Sequence, residues 1–485
     1  MKEPKVKPIE IDGRTGEGGG QLVRIACSLA AVTTIPIRIT NVRGNREGPR
    51  GGGLKSQHVS SIEWLAQATD AEVRGLSVGS HTLEFRPRRK PSELAGRSFK
   101  IRADSAAAST LLIFQAVFPF LLFAGGNGTS PTKRDLNGEQ PISGGTNVSW
   151  SPSFEYLDQV LLPALESAFG GGSSNSSSWR VERRLLARGW SAGKPSRGSI
   201  ALRIHPLRCG ETLRPRDTGG KKKNNASKRS GSGRNRLTPA PEEHDITAID
   251  VSMVVPADMH GPLAAALVAD LGELFPEVDA DDIHLKLVED SGADARVYVL
   301  LVARSATLRW GRDILTSMPK PSASKGGGGN KSGSGGGGNG PAAVSADVSR
   351  KVTKSLYDEV MEGGAVDEFL QDQLVVFQAL AEGLTSGDGN DSGHDDEKGD
   401  RGEEKLEAAM EDLAIVDKDK DKKQQPRLRR DKKTHKPFGE GSTHTTTARW
   451  VAAEMLPAAK WFNDGRVCEG VAMRLQQADK DGRAK

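Results

Sequence analysis

Three stretches of this 485-residue chain have compositions that cannot build a packed core, and they divide it into separate foldable pieces. Residues 216–242 are polar, basic and rich in Gly and Ser. Residues 319–343 are nearly pure Gly/Ser linker. Residues 386–436 begin acidic and end basic. Too little apolar surface is available in any of them to offset the entropy of ordering, so all three are expected to be disordered insertions. A shorter Gly/Ser run at 170–178 reads as a loop, and 405–416 as a transient helix inside the third stretch. The remainder suffices for one large domain and one small one.

The charge sum is mildly basic, with 68 Lys and Arg against 63 Asp and Glu. That permits a nucleic-acid partner without requiring one. Three cysteines exclude a disulfide scaffold, and no Cys-x-x-Cys zinc pattern occurs. The longest apolar stretch, Leu111 to Phe123, is interrupted by Gln115 and Pro119 and is too short to span a bilayer. The start, MKEPKVKPIEID, lacks the apolar core of a signal peptide. The expectation is a chain that is neither membrane-bound nor secreted. Lys221–Lys223 and the basic end of 386–436 suggest nuclear import or RNA attraction, with a cytoplasmic home and plain solubilising charge as the competing readings.

Strand and helix patterns alternate along the foldable pieces. A strand near residue 9 leads through GEGGG to a helix over 21–33, then a strand over 36–43 and a helix over 54–69. A second unit has a strand at 98–104 and helices at 106–124 and 153–169. Helices over 365–383 and 443–456 follow near the end. Residues 243–310 read as strand–helix–strand–strand, a small α/β domain inserted in the larger one. The class is therefore α/β or α+β.

Four segments carry chemistry. In Gly16-Glu17-Gly18-Gly19-Gly20-Gln21, glycines between a strand and a helix let backbone N–H groups approach an anion. Glu17 suits a divalent metal riding on phosphates, and Arg24 follows one turn later. A plain Gly-rich turn is the competing reading. Arg43, Arg46, Lys55, Gln57 and His58 flank a second Gly-rich loop, which is either a polyanion cradle or solvated charge. Glu368 and Asp372 share a helix face, with Gln373 beside them; ordinary capping acids would look the same. His444 lies in a hydroxyl-rich helix start, where the dipole keeps imidazole neutral and able to attack phosphorus. A histidine that merely caps or fills space is the alternative there.

Together, in this order, the segments resemble the RNA 3′-terminal phosphate cyclase family. IDGRTGEGGGQLVRIACSLAAVT, IRITNVRGNR, GLKSQH, SGGTNVSWSPSFEYLDQVLLPAL, VDEFLQDQLVVFQALAEG and STHTTTARWVAAEML are the matching runs. The resemblance implies repeated βαβ-type units, with helix pairs packed on four-stranded sheets, plus a small inserted α/β domain. It implies a discontinuous core over 9–204 and 311–475, with an insert over 205–310. It implies ATP-dependent conversion of an RNA 3′-phosphate to a 2′,3′-cyclic phosphate through a histidine–AMP intermediate, with ATP and Mg²⁺ required.

Carried over by position, the resemblance gives His444 as the nucleophile and Glu17 as metal ligand. Arg24, Arg43 and Arg46 fall on the phosphates, and Gln57 and His58 match the loop's Gln-His pair, with Gln57 among the nucleotide-binding residues. Asp372 meets the nucleotide or orients the histidine, Gln373 meets the nucleotide, and Gln115 and Pro152 line the adenine pocket. Departures fall in the loop before Gln57, at Asp104–Ser109, at Asn147 and around Trp190. A silent relative serving as a scaffold in rRNA processing or ribosome biogenesis is the alternative. Retention of His444, Glu17, Arg24 and Arg46 argues for the enzyme.

Overall fold

The computed structural model describes residues 6–215, 245–318, 340–386 and 439–475, apart from 47, 49, 50, 107, 126–135, 137, 171–179, 294, 295, 463 and 464. The three expected insertions fall outside the described residues except at their edges, as do the 170–178 loop (but for Gly170), the 405–416 segment and Lys221–Lys223.

The first unit joins β1 (Ile9–Asp12), α1 (Gly20–Thr33), β2 (Ile37–Thr40), α2 (Ser56–Thr69), β3 (Glu72–Arg74) and β4 (Leu83–Arg86). Its sheet runs β1-β2-β4-β3, with β1 and β2 parallel and the other pairs antiparallel. Alternation selects the buried face: Ile37 and Ile39 are inside, while Arg38 is out. The second unit repeats the order. Its elements are β5 (Ile101–Arg102), α3 (Thr110–Leu122), β6 (Gln140–Gly144), α4, β7 (Val181–Ala187) and β8 (Gly198–Ile204), with the sheet β5-β6-β8-β7. Helix α4 runs from Phe154–Tyr156 through a wider-wound turn, Leu157–Leu161, into Leu162–Phe169. α3 begins later than its apolar pattern suggests because Ser109 caps it, its hydroxyl accepting from the N–H groups of Leu111 and Leu112.

A third four-stranded sheet, β10-β9-β11-β12, comprises β9 (Ala248–Val255), β10 (Ile283–Asp290), β11 (Val297–Arg304) and β12 (Arg309–Thr316). β9 leads through α5 (His260–Leu274) to its parallel partner β10. β12 pairs with β11 along all eight residues, so this sheet runs past the expected insert boundary at 310. Helix α6 (Pro341–Met361) packs on it, with Val344, Val348, Val352 and Leu356 joining Leu263, Leu267 and Leu271 in one apolar cluster. Pro341–Ala343 thus open a helix where linker is expected: Pro is preorganised for the first turn, and the apolar stripe behind it has a core to bury against.

The chain closes with α7 (Glu368–Leu380), β13 (Glu382–Ser386), α8 (Thr443–Met455), β14 (Lys460–Phe462) and β15 (Val467–Val471). Among the described residues this last sheet is three-stranded, β13-β15-β14, rather than four-stranded. The main core gathers α1, α3, α4, α7 and α8 around Leu22, Phe118, Val375 and Trp450. The architecture is mixed α/β, with repeated four-stranded mixed sheets. No helix among the described residues is long and apolar enough to cross a membrane.

Candidate active site

The turn from β1 into α1 holds its shape through left-handed glycines and two borrowed partners. Gly16 and Gly18 have φ of 63° and 62°, where an L side chain is strained. The Asn45 amide donates to the carbonyls of Arg14, at 2.6 Å, and Gly16, at 3.3 Å. The backbone N–H of Glu17 donates to the Thr447 hydroxyl of α8 at 2.8 Å. So the first α-helix starts against the last one, and its N-terminus opens to the space beside His444.

His444 sits in the first turn of α8, which Ser442 caps by accepting the Thr445 N–H at 3.2 Å. Its ring is half-exposed, and its Nδ1 lies 3.1 Å from Gln21 Oε1. The other end of that amide is committed, since Gln21 Nε2 donates to Asp372 Oδ2 at 2.5 Å. Asp372 Oδ1 accepts from Gln373 Nε2 at 2.7 Å. A carboxylate needs a donor, so Gln21 turns its NH2 to Asp372 and its oxygen to His444. Nδ1 must then carry the proton, leaving Nε2 with a free lone pair. Partial burial, with the charges of Arg24 and Arg46, lowers the His444 pKa below its usual value and favours the neutral ring. Burial pushes Asp372 up to about 7, against the donors Gln373 and Gln21 and the charge of Arg24.

Cations gather at the α1 N-terminus. Arg24 is buried, and its Nε donates to Gln115 Oε1 at 2.5 Å. Burial brings its guanidinium down to about 10. Arg43 adopts φ 55°, and its Nε and Nη1 are buried without a hydrogen-bond partner. His58 is buried at the start of α2, where its Nδ1 accepts the Lys55 N–H at 3.0 Å. Burial and the charges of Arg24, Arg43 and Lys55 hold it well below the usual imidazole range. It is neutral, with the proton on Nε2, and that buried donor has no partner. A Cβ at Gly20 would lie 2.5 Å from the same atom, so His58 points at the helix N-terminus. Unpaired donors, guanidinium groups and a helix N-terminus converging on one space define an anion site.

The Glu17 carboxylate is nearly buried, with Oε1 against Arg46 and Oε2 3.7 Å from His444 Nδ1. Neither oxygen accepts a hydrogen bond. Among the described residues no group of three His, Cys, Asp or Glu could hold a metal ion. A single carboxylate beside a phosphate site nonetheless fits Mg²⁺, which retains waters and binds through one or two carboxylates plus substrate phosphates.

A narrow apolar slot beside the anion site is lined by Leu111, Pro152, Tyr156, Leu157 and Gln373. The Tyr156 hydroxyl donates to Asp367 Oδ1 at 2.6 Å, and Gly311 N donates to Asp367 Oδ2 at 2.9 Å, so the third sheet braces the slot wall. Phe369 stands exposed nearby, edge-on to Tyr156 with ring centroids 6.4 Å apart.

The structure therefore brings His444, Glu17, Arg24, Arg43, Arg46, Asp372 and His58 to one locus, with Pro152 and Gln373 in the adjoining slot. Gln115 is not among the residues that line the slot, and its side-chain oxygen is engaged by Arg24. Gln57 is half-buried in the first turn of α2, and its side chain makes no hydrogen bond to the described residues. Two positions essential to this geometry, Gln21 and Thr447, have no stated role in the sequence reading. Their signals are three-residue spacings on shared helix faces, Gln21 to Arg24 and His444 to Thr447.

Comparison with known proteins points the same way. The family described as RNA 3′-terminal phosphate cyclase matches residues 15–459. An RNA 3′-terminal phosphate cyclase of Methanosarcina mazei is 33% identical over 374 residues, covering 77% of this chain and 88% of the relative. The like-named protein of Thermococcus kodakarensis is 29% identical over 378 residues, 77% of this chain and 86% of its own. That of Methanosarcina barkeri reaches 43%, but over 165 residues, 34% of this chain and 44% of the relative. The chain belongs to the RNA 3′-terminal phosphate cyclase family.

Proposed function

We propose that this chain converts an RNA 3′-terminal phosphate into a 2′,3′-cyclic phosphate using ATP, with release of AMP and pyrophosphate. One observation carries the reading: the Asp372–Gln21–His444 chain of hydrogen bonds, which leaves His444 Nε2 unprotonated at the edge of the anion site. Nε2 attacks the α-phosphorus of ATP, the bond to the bridging oxygen breaks, and pyrophosphate departs. An oxygen of the RNA 3′-phosphate then displaces the histidine from that phosphorus. Finally the 2′-oxygen attacks the 3′-phosphorus, loses its proton, and AMP leaves.

Each step builds negative charge on phosphate oxygens. Arg24, buried, and Arg43, half-buried, have few competing partners and meet that charge without reorganising. His58 Nε2–H supplies a further neutral donor. Glu17 would hold Mg²⁺, which when bound withdraws charge from phosphate oxygens. The apolar wall of Pro152 and Leu157, with the Gln373 amide, would face the base, which the slot, too narrow for one as it stands, must widen to admit. The final ring closure needs little assistance, because the 2′-hydroxyl is a neighbour of its target and proximity alone supplies up to ~7–11 kcal/mol. That requirement selects RNA ends over DNA ends.

Incubation with α-labelled ATP tests the reading. Label is expected on the protein through an acid-labile bond, absent in His444→Ala, and a 3′-phosphorylated oligoribonucleotide is expected to gain a phosphatase-resistant cyclic end. Absence of both in the intact chain would leave the scaffold role instead.

A further inference from the structure

Two aromatic rings are exposed among the described residues, Trp150 at 55% and Phe369 at 41%; Phe369 stands against the slot-lining Tyr156, and Trp150 is two positions from the slot-lining Pro152. Phe369 has neighbours: Tyr156 at its edge and the Arg312 guanidinium 4.6 Å from its centroid. Trp150 has no ring or cation partner among the described residues. Other tryptophans show the contrast, with Trp64, Trp190, Trp310 and Trp450 all buried.

This exposure is built rather than incidental. Trp150 lies on the segment between β6 and α4, two positions before the slot-lining Pro152. The chain is fastened on both sides of it. Ser149 N donates to Ser191 Oγ at 3.1 Å, and the Ser151 and Ser109 hydroxyls are 2.6 Å apart. Asn147 is bridged to Trp190. The indole is thus held in solvent by a braced segment.

Cations on and against the 190–198 segment that braces it have no acidic partners among the described residues. Arg197 donates only to the carbonyls of Ala103 and Asp104, and Arg296 to the Lys194 carbonyl while lying over Trp190. Among the described residues none of Lys194, Arg197 and Arg296 pairs with a carboxylate. A flat ring flanked by unneutralised cations is the combination that binds single-stranded nucleic acid: bases stack on the ring and phosphates meet the charge. Topology places it correctly. Trp150 follows the C-terminal end of β6 in the second sheet, as the Gly16–Gly20 turn and Arg43 follow β1 and β2 in the first, and Ser105, which follows β5, donates its N–H to the Ser56 hydroxyl at the start of α2, tying those two ends together.

We propose that Trp150 is a stacking platform for a nucleobase at the RNA 3′ end, with Lys194 and Arg197 meeting the adjoining phosphodiesters. This rests on the cyclase reading for its substrate.

The test uses the full chain with Trp150→Ala and Trp150→Phe. Self-labelling by ATP alone is expected to stay within about two-fold of the parent. For a 3′-phosphorylated oligoribonucleotide, the Ala variant is expected to raise KM and weaken direct binding roughly 5- to 100-fold with kcat little changed, and Phe to restore most of it. An abasic site at the stacked position should cost the parent the same factor and cost Trp150→Ala nothing more. Unchanged RNA binding in Trp150→Ala, with cyclisation intact, would overturn the platform and leave the cyclase reading standing. Loss of self-labelling in step with RNA binding would overturn it too, by assigning the ring to the nucleotide slot. Trp150-dependent RNA binding without any cyclisation would sustain the platform and defeat the enzymatic reading alone.

Discussion

The Thr447 hydroxyl accepts the backbone N–H of Glu17 at 2.8 Å and donates in turn to the Thr443 carbonyl at 2.6 Å. A Cβ on Gly16 would lie 2.2 Å from that same hydroxyl. The loop bearing the proposed metal ligand therefore rests directly on the helix bearing His444, one turn from the imidazole.

Replacing Thr447 by Val keeps the shape but strands the Glu17 N–H, at about 1–3 kcal/mol. Self-labelling is expected to fall roughly 5- to 150-fold, in proportion to that cost. Thr447→Ser retains the hydroxyl and should recover most of the rate. Equal labelling by the Val variant would show that the contact does not position the site.

Gln21 fixes the His444 tautomer through both ends of one amide. Gln21→Leu removes the acceptor for Nδ1–H and the donor to Asp372, so labelling should drop about 10²-fold, the scale of a misplaced proton-transfer group. Rapid-quench measurement of the adenylation step checks this, and a drop smaller than two-fold would contradict the assigned tautomer.

Asp372 gives the pH dependence. Both of its oxygens accept hydrogen bonds, so a proton on Oδ2 displaces Gln21, while one on Oδ1 displaces Gln373 and weakens Oδ2 as the acceptor that orients Gln21 toward His444. With the carboxyl raised to about 7, labelling should decline as pH falls through that value. His444 itself titrates below 6.5 and adds a second decline further down. Asp372→Asn should remove the upper inflection and keep the lower one. The stability effect has the opposite sign. A carboxyl whose pKa rises on folding favours the folded state in acid, and that contribution is lost as pH climbs through about 7. Chemical denaturation from pH 5 to 8 should show a shallower loss in Asp372→Asn.

His58 supplies an unpaired buried donor, which costs the empty protein and rewards an anion. Inorganic pyrophosphate should raise the melting temperature of the parent, and the increment should shrink in His58→Phe, which has no N–H to offer. An identical increment in the two proteins would remove His58 from the anion site.

The helices were largely legible from sequence because their apolar residues recur with helical period: α1, α2, α7 and α8 fall within a few residues of where periodicity puts them. Helix α6 was not, because its stripe of Val344, Val348, Val352 and Leu356 is thin, set among charged residues and preceded by linker. The chemistry-bearing segments were visible as motifs, since glycine runs and hydroxyl-rich helix starts have local physical meanings. Gln115 on Arg24 and Thr447 on Glu17 are contacts across 91 and 430 positions, and no local pattern encodes them. The run of β12 past residue 310 is long-range in the same way: it rests on pairing with β11 and, at Gly311, on an N–H donated to Asp367 across 56 positions.

The opening turns of α1, α2 and α8 converge on one small volume, although the first two come from the beginning of the chain and the third from its far end. The proposed nucleotidyl transfer would accordingly be owned by no single repeat. A polypeptide severed within either outlying insertion should stay inert as separate halves and regain labelling only when the halves are mixed, because the attacking nitrogen and its cradle would then travel on different molecules.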